Sequence, residues 1–123
     1  EDVSPPLRIE RVPADAESLA LIVDDPDAPG GTFTHWLVWN IAPGTSELQE
    51  GQSPEGVTGT NDFGDTAYGG PCPPSGTHTY RFKLYALDTT LELDKGAKAG
   101  DLQGAIKDHV LAESVLAAEY TRQ

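Results

Sequence analysis

The sequence predicts a β-rich fold, and two observations carry this prediction. Ten prolines and thirteen glycines among 123 residues supply many turns, which is more typical of β-rich architectures than of helical bundles. Three segments, 18–25, 35–41 and 78–88, have the alternating or continuously apolar pattern of strands. A chain of this length can bury its own core, so we predict one domain covering residues 1–123.

The first two strand candidates lie in the N-terminal quarter of the chain. "PPLRIERV" at 5–12 is a short one, and "SLALIVDDPDAPGG" at 18–31 is a stronger one. The apolar residues of the second alternate onto one face, and Asp25 continues that face where the strand ends. The prolines and glycines that follow Asp25 end the strand and start a turn.

The next candidate, "HWLVWNI" at 35–41, is apolar on both faces, as expected of a central strand that is covered on two sides. Simple alternation predicts that one face of this strand carries His35, Leu37, Trp39 and Ile41. Residues 43–77, which follow, are rich in proline and glycine and poor in apolar side chains. Because strong strands flank them, we predict a long functional loop region and not a linker.

The C-terminal part contains a strand, a helix and a segment with conflicting signals. "HTYRFKLYALD" at 78–88 alternates, which places His78 and Tyr80 on the apolar face of a strand. "AGDLQGAIKDH" at 99–109 predicts a short helix near 101–108 that is capped by Asp101. For "VLAESVLAAEY" at 110–120, propensity favours helix because Ala, Leu and Glu dominate.

Charge and cysteine content narrow the classes of function and compartment. Twenty acidic and eight basic residues give a formal charge of −12, which repels nucleic acid and anionic membrane surfaces. This charge either serves solubility alone or reflects a salt-adapted organism. No apolar run approaches the roughly 20 residues of a bilayer span, and the single cysteine, Cys72, cannot form an internal disulfide. We therefore predict no nucleic-acid partner, no stable membrane insertion and a reducing, cytoplasmic location.

Four polar or titratable residues share an unusual position in the predicted strands. Asp25, His35, His78 and Tyr80 each lie near a strand end, on a face whose other members are apolar. A lone histidine in such a place is usually a core histidine that is bonded to a backbone carbonyl. If the strand ends converge, however, the four groups form the mouth of a pocket over an apolar floor. "DPDAP" and "GPCPP" suit its rim, because prolines make rigid walls.

The chemistry of this set suits a small anion. Imidazole N–H and phenol O–H groups donate hydrogen bonds, and a carboxylate can orient an imidazole by accepting a hydrogen bond from it. The expected ligand is therefore a phosphate or a phospholipid head group, and a protonated histidine would strengthen its binding.

Three rival interpretations are weaker. Asp25, His35 and His78 offer the three N/O ligands that a metal can use, but no short-spaced ligand pair is present. A nucleophile would be Ser75, Thr77 or Cys72, and the chain has no G-x-S-x-G elbow. The "DDPD" cluster lacks the spaced acidic residues and the terminal glutamate of a calcium loop.

Two long segments resemble the signature regions of the phosphatidylethanolamine-binding protein (PEBP) family, which includes the Raf kinase inhibitor protein and plant flowering-time regulators. They are "LALIVDDPDAPGGTFTHWLVWNI" and "YGGPCPPSGTHTYRFKLYALD", and the "GGPCPP" spelling is most similar to the prokaryotic branch. The resemblance implies an antiparallel β-sandwich of a large and a small sheet, with an anion pocket at one end. It also implies that segment 110–120 is extended, and there we follow it over propensity.

Carried over residue by residue, the resemblance implies eight ligand-binding positions. They are Asp25, Asp27, Pro29, His35, Gly70, Pro71, His78 and Tyr80. The family commonly has an arginine between the histidine and the tyrosine, whereas this chain has Thr79 there and an arginine at Arg81. Because an alternating strand points position 79 away from the pocket, we expect little effect on anion binding.

The resemblance does not determine the task of the protein, because family members bind lipids, inhibit kinases or act as transcriptional partners. We expect a non-catalytic module that binds phosphate-bearing or other small anionic ligands, such as a phosphoethanolamine-like head group. We expect no cofactor and no metal, and a regulated protein partner such as a kinase or a protease. The alternative is a hydrolase that uses the His/Asp pocket. Relatives are often dimers and carry a segment before "EDVSPPL", so we also expect a homodimer and a missing N-terminal segment.

Overall fold

The structure is a computed structural model that describes residues 7–9, 12–26, 32–45, 47–48, 56–62, 64, 66 and 77–121; at 7–8, 48, 77–79 and 116–121 it describes the backbone alone. Its elements are β1 (Leu7–Arg8), β2 (Ser18–Asp25), β3 (Phe33–Ile41), β4 (Glu47–Leu48), β5 (Val57–Thr58), β6 (Thr77–Leu87), α1 (Ala99–Ile106) and β7 (Val110–Thr121). Strands β1 and β4 form a small sheet, and the other five form a large sheet in the order β5-β3-β2-β6-β7. All of these pairings are antiparallel, which confirms the predicted mainly β fold with one short helix.

Apolar clusters cover both faces of the large sheet, so every residue of β2 is buried. We call the two sides face A and face B. Face A carries Leu19, Leu21, Val23, Trp36, Val38, Ile41, Tyr80, Phe82 and Ala86, packed against Ile9. Face B carries Ala20, Ile22, Leu37, Trp39 and Leu87, packed against Leu91 and against Leu102 and Ile106 of α1. Successive residues of β2 enter opposite clusters, as the two-residue period of a strand requires.

Strand β3 does not follow simple alternation, because it contains two β-bulges. In its pairing with β2 the register shifts between Leu19 and Leu21 and again between Val23 and Asp24. The pairing of β2 with β6 has no shift, so the extra residues belong to β3. Each bulge adds one residue and thereby reverses which face the residues beyond it occupy.

The prediction that His35, Leu37, Trp39 and Ile41 share one face is therefore wrong. Leu37 and Trp39 lie in the face B cluster, whereas Ile41 lies in the face A cluster. His35 contacts Tyr80, which belongs to face A. The physical reason is the pair of bulges, which re-aim both ends of β3 toward face A.

Asn40 lies in one of these bulges and ties β3 to the loop after β6. Its backbone has φ 57°, a left-handed conformation that asparagine tolerates better than most residues. Its side-chain amide donates to the carbonyl of Leu91 at 2.8 Å, and its side-chain oxygen accepts from the Leu91 N–H at 2.7 Å. This reciprocal pair holds Leu91 where it packs against face B.

Segment 57–62 runs beside β3 and packs closely against it at Gly59. The Gly59 N–H donates to the carbonyl of Leu37 at 2.9 Å. A Cβ atom at Gly59 would lie 2.5 Å from the carbonyl oxygen of Ala97 and 2.7 Å from Cζ3 of Trp39. Only a glycine lets these backbones approach so closely. The described parts of the predicted loop region 43–77 contain two short strands, β4 and β5, and the first residue of β6.

Helix α1 begins and ends two residues earlier than predicted, and Asp101 is not its N-cap. The N-cap is Lys98, and Asp101 occupies the third helical position. The Asp101 carboxylate accepts a hydrogen bond from the Lys98 N–H at 3.1 Å, which satisfies a donor that the helix leaves free. The aspartate therefore stabilises the helix start from inside the first turn. No helix in the described part of the chain is long and apolar enough to span a bilayer.

Strand β7 confirms that 110–120 is extended, against its helical propensity. It pairs with β6 from Leu87 back to Thr77 and is the last strand of the large sheet among the described residues. Its residues Val110, Leu111 and Val115 are exposed apolar side chains. The homodimer is expected because an exposed edge strand can pair with a second copy of the chain. The dimer stays a prediction.

Candidate functional site

The candidate site begins where β2 ends and β3 starts. Asp25, the last residue of β2, is the cross-strand partner of Phe33, the first residue of β3. Asp25 follows Val23 at the two-residue period, which places it on face A. Its side chain is nearly inaccessible, with 3% of the residue exposed. A carboxylate so deeply buried needs polar partners, and Asp25 does take part in an interaction within the protein.

His35 and Tyr80 meet on the same face. Their ring centroids lie 4.7 Å apart with an interplanar angle of 32°, and the centroid of the Phe33 ring lies 5.0 Å from that of His35. His35 is 3% exposed and Tyr80 1%. Three strands therefore bring a carboxylate, an imidazole and a phenol to one end of face A, above Phe82 and Val23 of the apolar core.

A turn after β5 holds the bulge that carries His35. The Asn61 side-chain amide donates to the His35 carbonyl at 3.3 Å. Asp62 bonds Thr34 twice, since its carboxylate Oδ2 accepts from the Thr34 N–H at 2.8 Å and its N–H donates to the Thr34 carbonyl at 2.9 Å. These contacts satisfy backbone groups that a bulge leaves without a regular ladder partner.

The neighbouring carboxylate, Asp24, faces the other way. On face B its Oδ1 accepts from Nε of Arg81 at 2.9 Å, and its Oδ2 lies 2.8 Å from Nζ of Lys83. Arg81, the arginine displaced from the position that Thr79 occupies, therefore forms an ion pair with Asp24. Two adjacent aspartates thus have different roles: Asp24 anchors the end of β2 to β6, and Asp25 lies at the candidate site.

Five predicted site positions have side chains outside the described residues. Asp27, Pro29, Gly70 and Pro71 lie outside altogether, and for His78 the structure describes only the backbone. That backbone belongs to β6, two residues before Tyr80. The structure thus brings His35 and Tyr80 into contact and places Asp25 opposite Phe33 in the neighbouring strand, and the remaining positions stay predictions.

Sequence reasoning missed three residues of this region. Phe33 precedes His35 by two positions, so its place on the same face was readable from alternation. The roles of Asn61 and Asp62 could not be predicted from a local pattern, because their hydrogen bonds join them to residues of β3 that are distant in the sequence. Asparagine and aspartate are common in turns and therefore carry little information about their partners.

The arrangement combines two kinds of hydrogen-bond donor with a carboxylate that accepts hydrogen bonds. Imidazole and phenol groups both donate hydrogen bonds, and a buried carboxylate can accept from an imidazole. Among the described residues, no group of three His, Cys, Asp or Glu side chains could hold a metal ion. Two candidate nucleophiles, Cys72 and Ser75, lie outside those residues, and Thr77 is described by its backbone alone.

Tyr85, on face B, lies in an environment that raises its pKa. Burial raises its pKa above the ordinary 10.0, and the carboxylates of Glu113 and Asp24 raise the pKa further, against a smaller opposing effect of Arg81. A hydrogen bond to Glu113 also favours the protonated phenol. Burial and like charge thus both oppose formation of the phenolate.

We expect the free energy of unfolding to fall above pH 10 partly because of Tyr85. Its pKa is raised in the folded state, so the unfolded chain ionises first. The stabilisation is complete below about pH 10 and is lost as the pH rises through the folded-state pKa. Urea unfolding at pH 9, 10 and 11 should show a shallower decline for Tyr85→Phe than for the wild type. Equal slopes for the two proteins would contradict this assignment.

Comparisons with known proteins agree with the fold. The family model described as phosphatidylethanolamine-binding protein matches residues 1–121. A UPF0098 protein of Methanothermobacter thermautotrophicus is 51% identical over 128 residues, which cover 99% of this chain and 85% of the relative. One from Pyrococcus abyssi is 48% identical over 132 residues, covering 99% of this chain and 74% of the relative. These names state no function.

Two solved structures are closely similar. A crystal structure of a phosphatidylethanolamine-binding protein homolog from Chlamydia trachomatis superimposes with a TM-score of 0.95 at 40% identity, covering 98% of this chain and 82% of that one. E. coli YbcL, described as a member of the mammalian PEBP family, gives a TM-score of 0.91 at 33% identity, covering 99% and 82%. With the family model matching almost the whole sequence, the chain belongs to the phosphatidylethanolamine-binding protein family.

Proposed function

We propose that this protein is a non-catalytic binding module for phosphate-bearing or other small anionic ligands. The observation that carries the proposal is the buried contact between His35 and Tyr80 at the end of face A, beside Asp25. Family membership supports it, because the resemblance described above implies a ligand pocket that includes these positions. In the proposed complex, His35, His78 and Tyr80 donate hydrogen bonds to the anion, and Asp25 accepts from an imidazole and orients it.

The physical support lies in where the polar groups are. Burying an imidazole, a phenol and a carboxylate costs free energy that an apolar core would not incur. Face A has apolar residues elsewhere along β2 and β6, so packing alone does not call for these three groups at its end. Hydrogen bonds to a bound anion would offset part of this cost, and selection for binding would then explain why polar groups are kept here. The chain's formal charge of −12 repels anions at long range, so such a ligand needs donors at contact distance.

Calorimetric titration of inorganic phosphate and of phosphoethanolamine tests the proposal. Tyr80→Phe keeps the ring that packs against His35 and removes only the hydroxyl, and His35→Ala removes an imidazole. Each should cost about 1.5–3 kcal/mol of binding, which is roughly a 10- to 100-fold rise in Kd. The matched control is His109→Ala, since His109 is a partly exposed histidine that pairs with Asp88 at 2.8 Å, away from the site.

The outcomes separate the alternatives. Loss of affinity in the two site variants and none in the control supports the proposal. If the wild type binds neither ligand at millimolar concentration, His35 is a core histidine and the proposal fails for these ligands. Turnover of phosphate or carboxylic esters by the wild type, lost in His35→Ala, would favour the hydrolase instead. Regulation of a protein partner through the occupied pocket stays a prediction from the family resemblance.

A further inference from the structure

We propose that Asn61 and Asp62 are positioning residues that hold His35 on face A. This inference deepens the proposed function and rests on it, because it concerns the orientation of one of the proposed anion donors. The turn at 61–62 forms hydrogen bonds with the backbone of His35, the extra residue of the bulge, and of Thr34, which precedes it. It does so from the side of β3 that faces β5, and these contacts are to the backbone of β3.

The register of β3 shows why His35 needs contacts that hold it on face A. Simple alternation would place His35 on the same side as Leu37, which belongs to face B. In the structure Val23 pairs with Trp36 and Asp24 with Thr34, so His35 is the extra residue of the bulge. A change of one residue in register moves a side chain to the opposite face of a sheet. Keeping His35 beside Tyr80 therefore requires that the bulge be stabilised.

The contacts from the turn are suited to this task. Asp62 replaces a ladder partner at Thr34, accepting from its N–H at 2.8 Å and donating to its carbonyl at 2.9 Å. Asn61, itself buried, donates to the His35 carbonyl at 3.3 Å. The backbone of a regular neighbouring strand would form hydrogen bonds with alternate residues of β3. Here the side chains of Asn61 and Asp62 form hydrogen bonds with two consecutive residues. The two side chains thus bond the backbone at the bulge that the pairing of β2 with β3 shows.

The test compares Asp62→Leu, which removes the carboxylate acceptor, with Asp62→Asn, which keeps an acceptor oxygen for the Thr34 N–H. The direct readout is the ring proton shift of His35 by NMR, together with the nuclear Overhauser contact between the His35 and Tyr80 rings. We expect Asp62→Leu to shift the His35 signals and weaken that contact. Phosphate affinity should fall about tenfold, while Asp62→Asn stays within about twofold of the wild type.

Thr60→Val is the matched control. It removes a hydrogen bond of the same segment, from Thr60 Oγ1 to the carbonyl of Gly96 at 2.7 Å, which does not involve β3. A general loosening of the segment would affect the His35 signals in this variant too, whereas a positioning role predicts that they are unchanged. If Asp62→Leu does not fold, Asn61→Asp, which keeps the side-chain volume and replaces the donor by an oxygen, provides the same comparison.

The two proposals fail in distinguishable ways. An unchanged His35–Tyr80 contact and unchanged His35 shifts in folded Asp62→Leu or Asn61→Asp would overturn the positioning role, whatever the affinity. A wild type that binds neither phosphate nor phosphoethanolamine would overturn the proposed function for these ligands, and the NMR comparison would still decide whether the turn positions His35. Shifted His35 signals in Asp62→Leu and wild-type signals in Asp62→Asn and Thr60→Val would support the inference.

Discussion

Removing both cations from Asp24, in the double variant Arg81→Gln/Lys83→Met, is expected to lower the free energy of unfolding by about 3–5 kcal/mol. The Asp24 side chain is only 3% exposed, and both of its oxygens are paired with cations, at 2.9 and 2.8 Å. Without these partners a buried carboxylate would remain without a compensating charge. Exposed ion pairs contribute about 0–1 kcal/mol, and this site differs because Asp24 is buried and the Lys83 side chain is only 13% exposed.

Urea unfolding followed by tryptophan fluorescence measures this effect, and Asp24→Asn provides the decisive comparison. Adding Asp24→Asn to the double variant removes the buried charge, so the triple variant should recover most of the lost stability. Lys107→Met is the matched control, because Lys107 is exposed and its replacement changes the net charge as Lys83→Met does. A double variant within about 1 kcal/mol of the wild type, or a triple variant no more stable than the double, would refute the network.

Trp39→Ala is expected to cost about 3–5 kcal/mol of stability, comparable to the loss of the ion pairs. Trp39 is fully buried in the face B cluster, and its ring lies against the backbone at Gly59. Truncation would leave a cavity that the tight contact between segments 57–62 and 96–97 prevents from collapsing. The cost of such cavities rises with the volume that neighbouring atoms cannot fill.

Trp39→Phe distinguishes the contribution of the buried aromatic ring from that of the indole N–H. The indole Nε1 of Trp39 is buried and has no hydrogen-bond partner among the described residues. Phe removes that polar atom and keeps an aromatic ring, so it should cost clearly less than Ala. Val115→Ala is the control for an apolar truncation at an exposed position, and it should stay within about 0.5 kcal/mol. Equal losses for Trp39→Ala and Val115→Ala by chemical denaturation would show that Trp39 is not a core residue.

The elements with strong local patterns were predictable from the sequence. The alternation of 18–25 and 78–88 corresponds to β2 and β6, and the continuous apolar run at 35–41 lies within the buried strand β3. These patterns are local, because side-chain direction repeats every two residues in any extended chain. The sequence also singled out Asp25, His35 and Tyr80 as polar residues near strand ends on predicted apolar faces, and the structure buries all three.

Strand β7 required more than local information. Its residues favour helix by a few tenths of a kcal/mol each, and the family resemblance, not the composition, indicated an extended conformation. In the structure β7 pairs with β6 over eleven registered positions. Backbone pairing with the neighbouring strand outweighs intrinsic propensity, which is why propensity alone is a weak guide there. Arg81 is a similar case, since the sequence showed its displacement and only the fold reveals its partner, Asp24.

The sequence by itself determined the fold class, the positions of the main strands along the chain and the chemical types at the candidate site. The tertiary structure alone decided which way His35 points. Its face depends on an extra residue in β3 and on bonds from Asn61 and Asp62, which lie 26 and 28 positions from their partners. Alternation is set by each residue's own backbone, but a bulge is stabilised by the strand and the turn on either side of it. No local pattern in "FTHWLVW" contains that information, so the orientation of the imidazole emerges only when the chain is folded.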